Sequence, residues 1–527
     1  MTAATLDATF ERPRNADLGA WAAVAAGSIG ALMASLDISI TNSALPQIQG
    51  EVGATGTEGT WIGTGYLVSE IVMIPLTAWL TRVFGLRALL LGCAVLFTVF
   101  SVVCGSSHTL AWMILGRVGQ GFTGGAMIPT AQTIVATRLP KHQLPIGMTF
   151  FGLTVLLGPL LGPVVGGWLA ENISWRWCFF INVPVGVGLA TLLVLGLKSE
   201  KMNLGLLRRA DWLGILGLSV GLSSLTIVLE EGQRERWFES QMITYLAISA
   251  VIGIAVLMIS QFTSKDPVVN LRLLLNRSYA GVIVLITAVG AVLYGVLYLL
   301  PQFLAGVAGY NAQQSGMVML IAGLPAFLMV PILPPLMGRV NLRILVSAGL
   351  LLLAVSCLID THLTAQSTGG DFTLSQILRG MGQVMAMFPL NQASVGAVSA
   401  EQAGDAAGLF NMARNLGGSL GLASLGAMLD WRTSQHTDAI RESVHANSPL
   451  VQERIAGMAS NFASASGDMA LGQLQALRSL AAQIDQQAAA MTFADAFWVL
   501  GILLVVCLPL VLLIRPPRPG AAPAAAH

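Results

Sequence analysis

The sequence predicts an all-α integral membrane protein with fourteen transmembrane helices. Three observations lead there. Hydrophobic residues fill 55% of the 527 positions and charged residues only 10%, against about 25% charged in a soluble domain. The apolar residues gather into runs long enough to cross a hydrocarbon core, which takes about 20 residues of helix. Glycine is abundant, at 57 residues, as in membrane helices whose small residues let backbones approach closely.

In chain order the spans fall near 20–46, 60–81, 88–106, 109–137, 146–170, 176–197, 211–231 and 241–262. Six more follow near 278–305, 314–337, 343–360, 373–398, 406–429 and 492–514. The first run follows a tail that mixes Glu11, Arg12, Arg14 and Asp17, and no small-residue cleavage site comes after it. It therefore reads as a retained helix and not as a signal peptide.

An even number of spans puts both termini on one side, and the Lys/Arg distribution says which. Of the 27 basic residues, 17 fall in one set of connections: Arg12, Arg14, Arg82, Arg87, Arg138, Lys141, Lys198, Lys201, Arg208, Arg209, Lys265, Arg272, Arg277, Arg339, Arg343, Arg515 and Arg518. The opposite set holds seven, Arg176, Arg234, Arg236, Arg432, Arg441, Arg454 and Arg478. Four of those lie in the long segment 430–490, which the rule discounts. Both termini are thus expected in the cytoplasm, and the 430–490 segment outside. That segment is polar, with Leu471, Leu474, Leu477, Leu480 and Ile484 at helical spacing. It reads as a solvated helical hairpin packing on itself or as a docking surface for an extramembrane partner.

Charge inside hydrocarbon is costly, so each interior charge is a functional candidate. Asp37 and Glu70 are the acidic residues well inside spans, Asp495 lies near an end, and Arg117, Arg379 and Arg414 are the basic ones. At 1.5 Å per residue, Asp37 lies roughly 13 Å, Arg117 roughly 12 Å and Glu70 roughly 15 Å from the outer side. Asp37 and Arg117 are expected to meet at one level, with Glu70 near enough to join them. Such a pair locks two helices, or its carboxylate gains and loses a proton.

Span 5 carries the sharpest pattern. Gly158, Gly162 and Gly166 recur every four residues and put a smooth stripe on one face, suited to close helix packing. Pro159 and Pro163 each remove a backbone hydrogen bond, Gly167 completes a Gly-Gly pair, and the helix is free to kink.

With these residues in view, the chain resembles the fourteen-span drug:proton antiporters of the major facilitator superfamily. The stretch Leu36-Asp37-Ile38-Ser39-Ile40-Thr41-Asn42-Ser43-Ala44-Leu45-Pro46 is similar to their first-helix motif. Leu115-Gly116-Arg117-Val118-Gly119-Gln120-Gly121 resembles their helix 4 proton-coupling motif, and Gly158–Gly167 their helix 5 antiporter motif. Trp175-Arg176-Trp177-Cys178-Phe179-Phe180-Ile181-Asn182-Val183-Pro184-Val185-Gly186 resembles the signature that follows. The long outer segment and Phe493-Ala494-Asp495-Ala496-Phe497-Trp498 point to the EmrB-type branch, inner-membrane pumps of Gram-negative tripartite systems. One departure stands out. The superfamily's loop between helices 2 and 3 usually holds an acidic residue where this chain has a basic one, Arg82, as EmrB-type proteins do.

The resemblance implies a major facilitator fold: a cytoplasmic tail 1–19, a six-helix bundle 20–197, a linker 198–277 with two extra helices, a second six-helix bundle 278–514 including the periplasmic segment 430–490, and a cytoplasmic tail 515–527. A faint internal repeat agrees, since Ile114-Leu115-Gly116-Arg117-Val118-Gly119-Gln120 is echoed by Ile377-Leu378-Arg379-Gly380-Met381-Gly382-Gln383. Repeat halves place substrate near the midplane between them. The implied cavity helices supply Asn42, Gln120, Met127, Tyr294, Tyr298, Gln302, Arg379, Met385, Phe388, Asn391 and Gln392. Met and aromatic walls suit a promiscuous binder, and equally suit plain helix packing. Arg82 and Arg414 are expected to be structural charges.

The implied activity is proton-coupled export of hydrophobic or amphipathic toxic compounds across the inner membrane by alternating access. Its implied partners are a periplasmic adaptor and an outer-membrane channel, with the proton as coupling ion and no cofactor. A narrow-substrate exporter of a metabolite, lipid or siderophore on the same fold is the alternative. An enzyme would want a nucleophile–base pair or a metal cluster, whereas the six His residues are scattered through loops and tails. A formal charge of +1 gives no footprint for nucleic acid. The five cysteines lie in apolar runs without metal spacing and read as packing residues.

Overall fold

The computed structural model describes residues 15–55, 58–140, 143–264, 267–399, 402–444 and 448–514. Arg12, Arg14, Lys141, Lys265, Arg515 and Arg518 of the charge bias, and His142, His445 and His527, lie outside the described residues. The described chain is helical, with no β-strand among the described residues. It divides into two compact units: Met1–Trp212 with Ser264–Val269 and Val330–Arg339, and Leu213–Thr263 with Asn270–Met329 and Val340–His527.

The first unit is built from α1 (Leu18–Val52), α2 (Trp61–Phe84), α3 (Leu86–Gly105), α4 (Leu110–Arg138), α5 (Leu144–Asn172), α6 (Trp177–Phe180), α7 (Asn182–Gly196) and the short α8 (Gly205–Arg208). Local chemistry sets several boundaries. The Asp17 carboxylate accepts from Ala20 N at 2.8 Å and caps α1, which ends on Gly53 in the left-handed region, φ 69°. Gly85, φ 81°, makes the one-residue turn from α2 to α3. The sixth expected span is broken at Ile181 into α6 and α7.

Helix α4 packs against α1, α2 and α3, and α1 packs against α4, α5 and α7. The α1–α5 seam follows from the glycine stripe. A Cβ on Gly158 would fall 2.1 Å from Ser35 Oγ, on Gly162 2.2 Å from Ser39 Cβ, and on Gly166 2.7 Å from Ile40 O. Gly167 points elsewhere, with nothing within 4 Å. Helix α5 runs through Pro159 and Pro163 as one helix.

The remaining helices are α9 (Trp212–Glu231), α10 (Gln241–Thr263), α11 (Arg277–Gly306), α12 (Ala312–Leu320), α13 (Gly323–Met337), α14 (Leu342–Ile359), α15 (Thr373–Gly396), α16 (Ala403–Ser443), α17 (Pro449–Ser466) and α18 (Met469–Cys507). The tenth expected span is interrupted between α12 and α13. In the second unit α11 packs on α16, α14 on α15, and α18 on both α14 and α16.

Eleven described helices are long and apolar enough to cross a membrane, which makes this a multi-pass membrane protein. Helices α4, α15 and α16 stand at three further expected spans but are not among the eleven. Their sequences explain it: α4 and α15 each bury an arginine and several glycines, and α16 continues past its apolar part to Ser443.

Helices α17 and α18 form a hairpin beyond α16, with Gly467 at φ 73° in the turn. The small residues make the contact, as a Cβ on Gly472 would lie 2.6 Å from Ala459 O. The leucine stripe does not. Leu471, Leu474 and Leu477 are 43%, 58% and 51% exposed.

Gly162→Ala is expected to force α1 and α5 apart and cost about 1–3 kcal/mol, as overpacking does. Gly167→Ala, on open space, is expected to be neutral or slightly stabilising. Thermal unfolding of the two purified variants in one detergent checks the contrast.

Candidate functional site

A buried polar network sits inside the first unit. Asp37 on α1 and Arg117 on α4 form an ion pair through Asp37 Oδ2 and Arg117 Nη1, each residue only 1% exposed. Two further donors reach the other carboxylate oxygen: Gln120 Nε2 donates to Oδ1 at 3.0 Å, and Asn182 Nδ2 donates to it at 2.8 Å. Gln120 Oε1 in turn accepts from Arg117 Nη1 at 3.1 Å, which fixes the amide orientation. Arg117 Nε donates to Ile62 O at 3.1 Å, and the guanidinium lies 4.4 Å from the centre of the Tyr66 ring. Ser101 Oγ on α3 accepts from Gln120 Nε2 at 2.8 Å and from Asn182 Nδ2 at 3.2 Å.

The sequence folds this way because α4 is faced with glycine. Gly121 brings α4 against α2, where a Cβ would fall 2.1 Å from Tyr66 O, and Gly125 does the same at 2.7 Å from Glu70 O. Arg117 and Gln120 are one turn apart on the face turned to α1 and α3. Ile40, Ala44, Ile48, Ile62, Met113, Trp175 and Phe179 form a buried apolar cluster in the same unit. Low polarity around a paired charge strengthens each bond and raises the cost of losing one.

The Trp175–Gly186 motif resolves into two jobs. Trp175 Nε1 donates to Glu51 Oε2, Arg176 Nη2 pairs with Glu51 Oε1 at 2.8 Å, and Arg176 lies 4.3 Å from the Trp175 ring centre. That clamp ties the end of α1 to the start of α6. Two turns later Asn182 opens α7 and reaches Asp37.

Glu70 is buried on α2 with its carbonyl against Gly125. Arg82 is exposed on the last turn of α2. An acidic group nonetheless serves the turn after it. Glu200 Oε2 accepts from Leu86 N at 3.1 Å, and Glu200 Oε1 pairs with Arg138 at the end of α4 at 3.1 Å. Arg414 is half-buried beside Asn415, whose Oδ1 accepts from Arg414 Nη2 at 3.3 Å and from the Tyr294 hydroxyl at 3.2 Å.

The other expected cavity residues differ in exposure. Met127 and Gln120 are fully buried in the first unit, Asn42 is exposed on α1, and Tyr298, Gln302 and Gln392 are exposed in the second. Met385, Phe388 and Asn391 are half-buried on α15. Arg379 is buried and pairs with Asp360 at 2.6 Å. Asp495 is held by Arg432 Nε at 2.6 Å and His436 Nε2 at 2.8 Å, and His436 lies within helix α16, not in the expected loop or tail. All five cysteines are buried and free, and no metal-binding cluster of His, Cys, Asp and Glu occurs among the described residues.

The sequence profile of the Major Facilitator Superfamily matches residues 27–422. The chain belongs to that superfamily. Among curated relatives it is 31% identical to the Colistin resistance protein EmrB of Acinetobacter baumannii, covering 92% of this chain and 94% of that protein. It is also 31% identical to the Multidrug export protein EmrB of Escherichia coli, with 93% and 94% covered. Among solved structures the human organic anion transporter MFSD10 superposes with a TM-score of 0.60 at 15% identity, over 92% of this chain and 99% of that one, which is a likeness of fold. Superfamily membership makes the protein a membrane transporter, and it matches proteins of the EmrB type over nearly its full length.

Asn182→Leu and Gln120→Leu each remove a donor to the Asp37 carboxylate, and each is expected to cost about 1–3 kcal/mol, the desolvation penalty of a bond left unmade. Thr41→Ala removes a hydroxyl that serves only the Asp37 carbonyl, at 2.7 Å, and is expected to cost less. Unfolding midpoints in detergent report the order.

Proposed function

We propose that this protein is a proton-coupled antiporter that exports hydrophobic and amphipathic toxic compounds. The single observation that carries the reading is the buried Asp37–Arg117 pair on α1 and α4, set beside the glycine seam that joins α1 to α5. A carboxylate buried in hydrocarbon with one cation is a group whose protonation changes the local charge balance, and a close seam of small residues is a surface on which helices can shift. The names of the EmrB relatives supply the cargo class.

In this mechanism the ionised Asp37 holds Arg117 while cargo binds from the cytoplasmic side. The loaded unit turns outward, a proton from outside neutralises Asp37, loosens Arg117 and favours cargo release, and the protonated unit turns back and gives the proton up to the cytoplasm. One charge crossing 100 mV supplies about 2.3 kcal/mol. That supports roughly a fifty-fold gradient of a neutral compound per proton, at about 1.4 kcal/mol per tenfold. Glu70, buried on the neighbouring α2, is a second carboxylate in the same unit.

The reading includes fourteen spans, both termini in the cytoplasm and an inner-membrane location. With that orientation the α17–α18 hairpin projects into the periplasm, and the exposed Leu471, Leu474 and Leu477 offer an apolar stripe to a periplasmic adaptor that leads to an outer-membrane channel.

Inverted membrane vesicles holding a pH gradient test the coupling. Apolar cations from a panel are expected to collapse the gradient in vesicles with the wild-type protein, and not in those with Asp37→Asn expressed at the same level. Unchanged, substrate-dependent proton movement in Asp37→Asn would contradict the role given to this carboxylate.

A further inference from the structure

A groove runs along the outside of the second unit, between the start of α14 and the 3-10 turn Leu508–Leu513 that continues α18. The turn carries Pro509 and packs on α11 and α14. Arg343, Ser347 and Leu351 follow one another turn by turn on one face of α14 and line one wall. Leu508, Val511 and Leu512 line the other, around a volume of about 400 Å³. The groove opens sideways along its length: Ile344, Leu351 and Leu512 are 60%, 45% and 70% exposed, while Val511 is buried. From Arg343 to Leu351 the α14 wall is roughly 12 Å long, at 1.5 Å per residue.

Polarity is graded along that wall. Arg343 stands in the first turn of α14, where its N–H donates to the capping Asn341 Oδ1 at 3.0 Å. Its Nε donates to Ile514 O at 2.6 Å, which ties the start of α14 to the end of the 3-10 turn. The two Nη groups make no hydrogen bond, and the guanidinium no ion pair, among the described residues. A guanidinium held at Nε with both Nη groups free fits two oxygens of one phosphate. One turn deeper, the half-buried Ser347 has a hydroxyl without a hydrogen bond among the described residues. Beyond Ser347 the lining is carbon only, and no acidic residue lines the groove.

We propose that this groove binds one anionic phospholipid of the bilayer. Its phosphate pairs with Arg343, an ester carbonyl accepts from the Ser347 hydroxyl, and an acyl chain lies over Leu351 between α14 and the 3-10 turn. The order ionic, polar, apolar is that of a phospholipid, and a basic pocket between membrane helices is a site for lipid head groups. A zwitterionic head group carries its own cation, which opposes Arg343, so the site selects for net negative charge. A free phosphate would satisfy the guanidinium but leave the apolar walls uncovered. The bound lipid adds a second link beside the Arg343–Ile514 bond and fastens the end of α18 to α14. The inference stands apart from proton coupling and needs only that the protein lies in a bilayer.

Native mass spectrometry of the full-length protein in detergent tests it, with phosphatidylglycerol and phosphatidylcholine of identical acyl chains as probes. The first phosphatidylglycerol is expected to bind roughly tenfold more tightly than the first phosphatidylcholine, as a charge-assisted bond implies. Arg343→Gln is expected to erase that preference, and Arg343→Lys to keep much of it. If Arg343→Gln fails to fold for want of its bond to Ile514, Ser347→Trp carries the test. It leaves Arg343 in place, fills the groove, and is expected to weaken the first phosphatidylglycerol by about the same factor. Equal affinity for the two lipids in the wild type, or an undiminished preference in Arg343→Gln or Ser347→Trp, overturns the site. Displacement of the lipid by millimolar inorganic phosphate alone also overturns it, because the site would then recognise a free anion.

Discussion

A cation that cannot be discharged lies in the interior of an apolar bundle, and the first unit is arranged around it. Arg117 is 1% exposed and keeps its charge at any physiological pH. Its counter-charge, Asp37, comes from α1, its carbonyl acceptor Ile62 from α2, and its aromatic face from Tyr66 on the same helix. The carboxylate is in turn held by Gln120 of α4 and Asn182 of α7, and both amides lean on Ser101 of α3. Five helices therefore owe part of their register to one buried charge. The same arrangement suits transport, because neutralising Asp37 removes the anion that Arg117, Gln120 and Asn182 all face.

Close packing makes the network possible. Gly121 and Gly125 bring α4 onto the backbone of α2, and the Gly158, Gly162 and Gly166 stripe brings α5 onto α1. Without side chains at these positions the polar groups reach each other directly, at hydrogen-bonding distance. The second unit repeats the theme in altered form. Arg379 stands one position before the place the internal repeat gives the counterpart of Arg117; its partner is Asp360 at the end of α14, and two of its nitrogens lack acceptors among the described residues. One carboxylate is surrounded by three donor side chains, and in the other pair it is the arginine that is left part satisfied among the described residues.

The parts legible in the sequence are those with large energetic signatures. Apolar runs locate the helices, because no other structure satisfies the backbone in lipid. Asp37 and Arg117 stand out because charge in hydrocarbon is costly, and rise per residue alone puts them at one level. The glycine stripe is legible because its period of four marks one face. Uncharged members of the network were harder to see. Asn182, Ser101 and Tyr66 sit in runs that read as ordinary membrane helix, and only the Asn within the Phe180–Val183 stretch gives a signal. Asp360 fell at the expected end of a span, where a boundary uncertain by a few residues hides a buried acid. The leucines at 471, 474 and 477 mark a helical face by spacing, but spacing does not say what covers it, and the hairpin closes on Gly472 instead.

Asp37 and Arg117 act as one unit that organises the first bundle. A double-mutant cycle on thermal unfolding in detergent, with Asp37→Asn, Arg117→Gln and the pair combined, tests it most directly. Each single change leaves an uncompensated buried group and is expected to cost about 3–5 kcal/mol. The double variant is expected to lose less than the two added together, with a coupling of about 1–3 kcal/mol. Additive losses would mean that the two charges stabilise the fold independently, and the account of a single organising pair would be wrong.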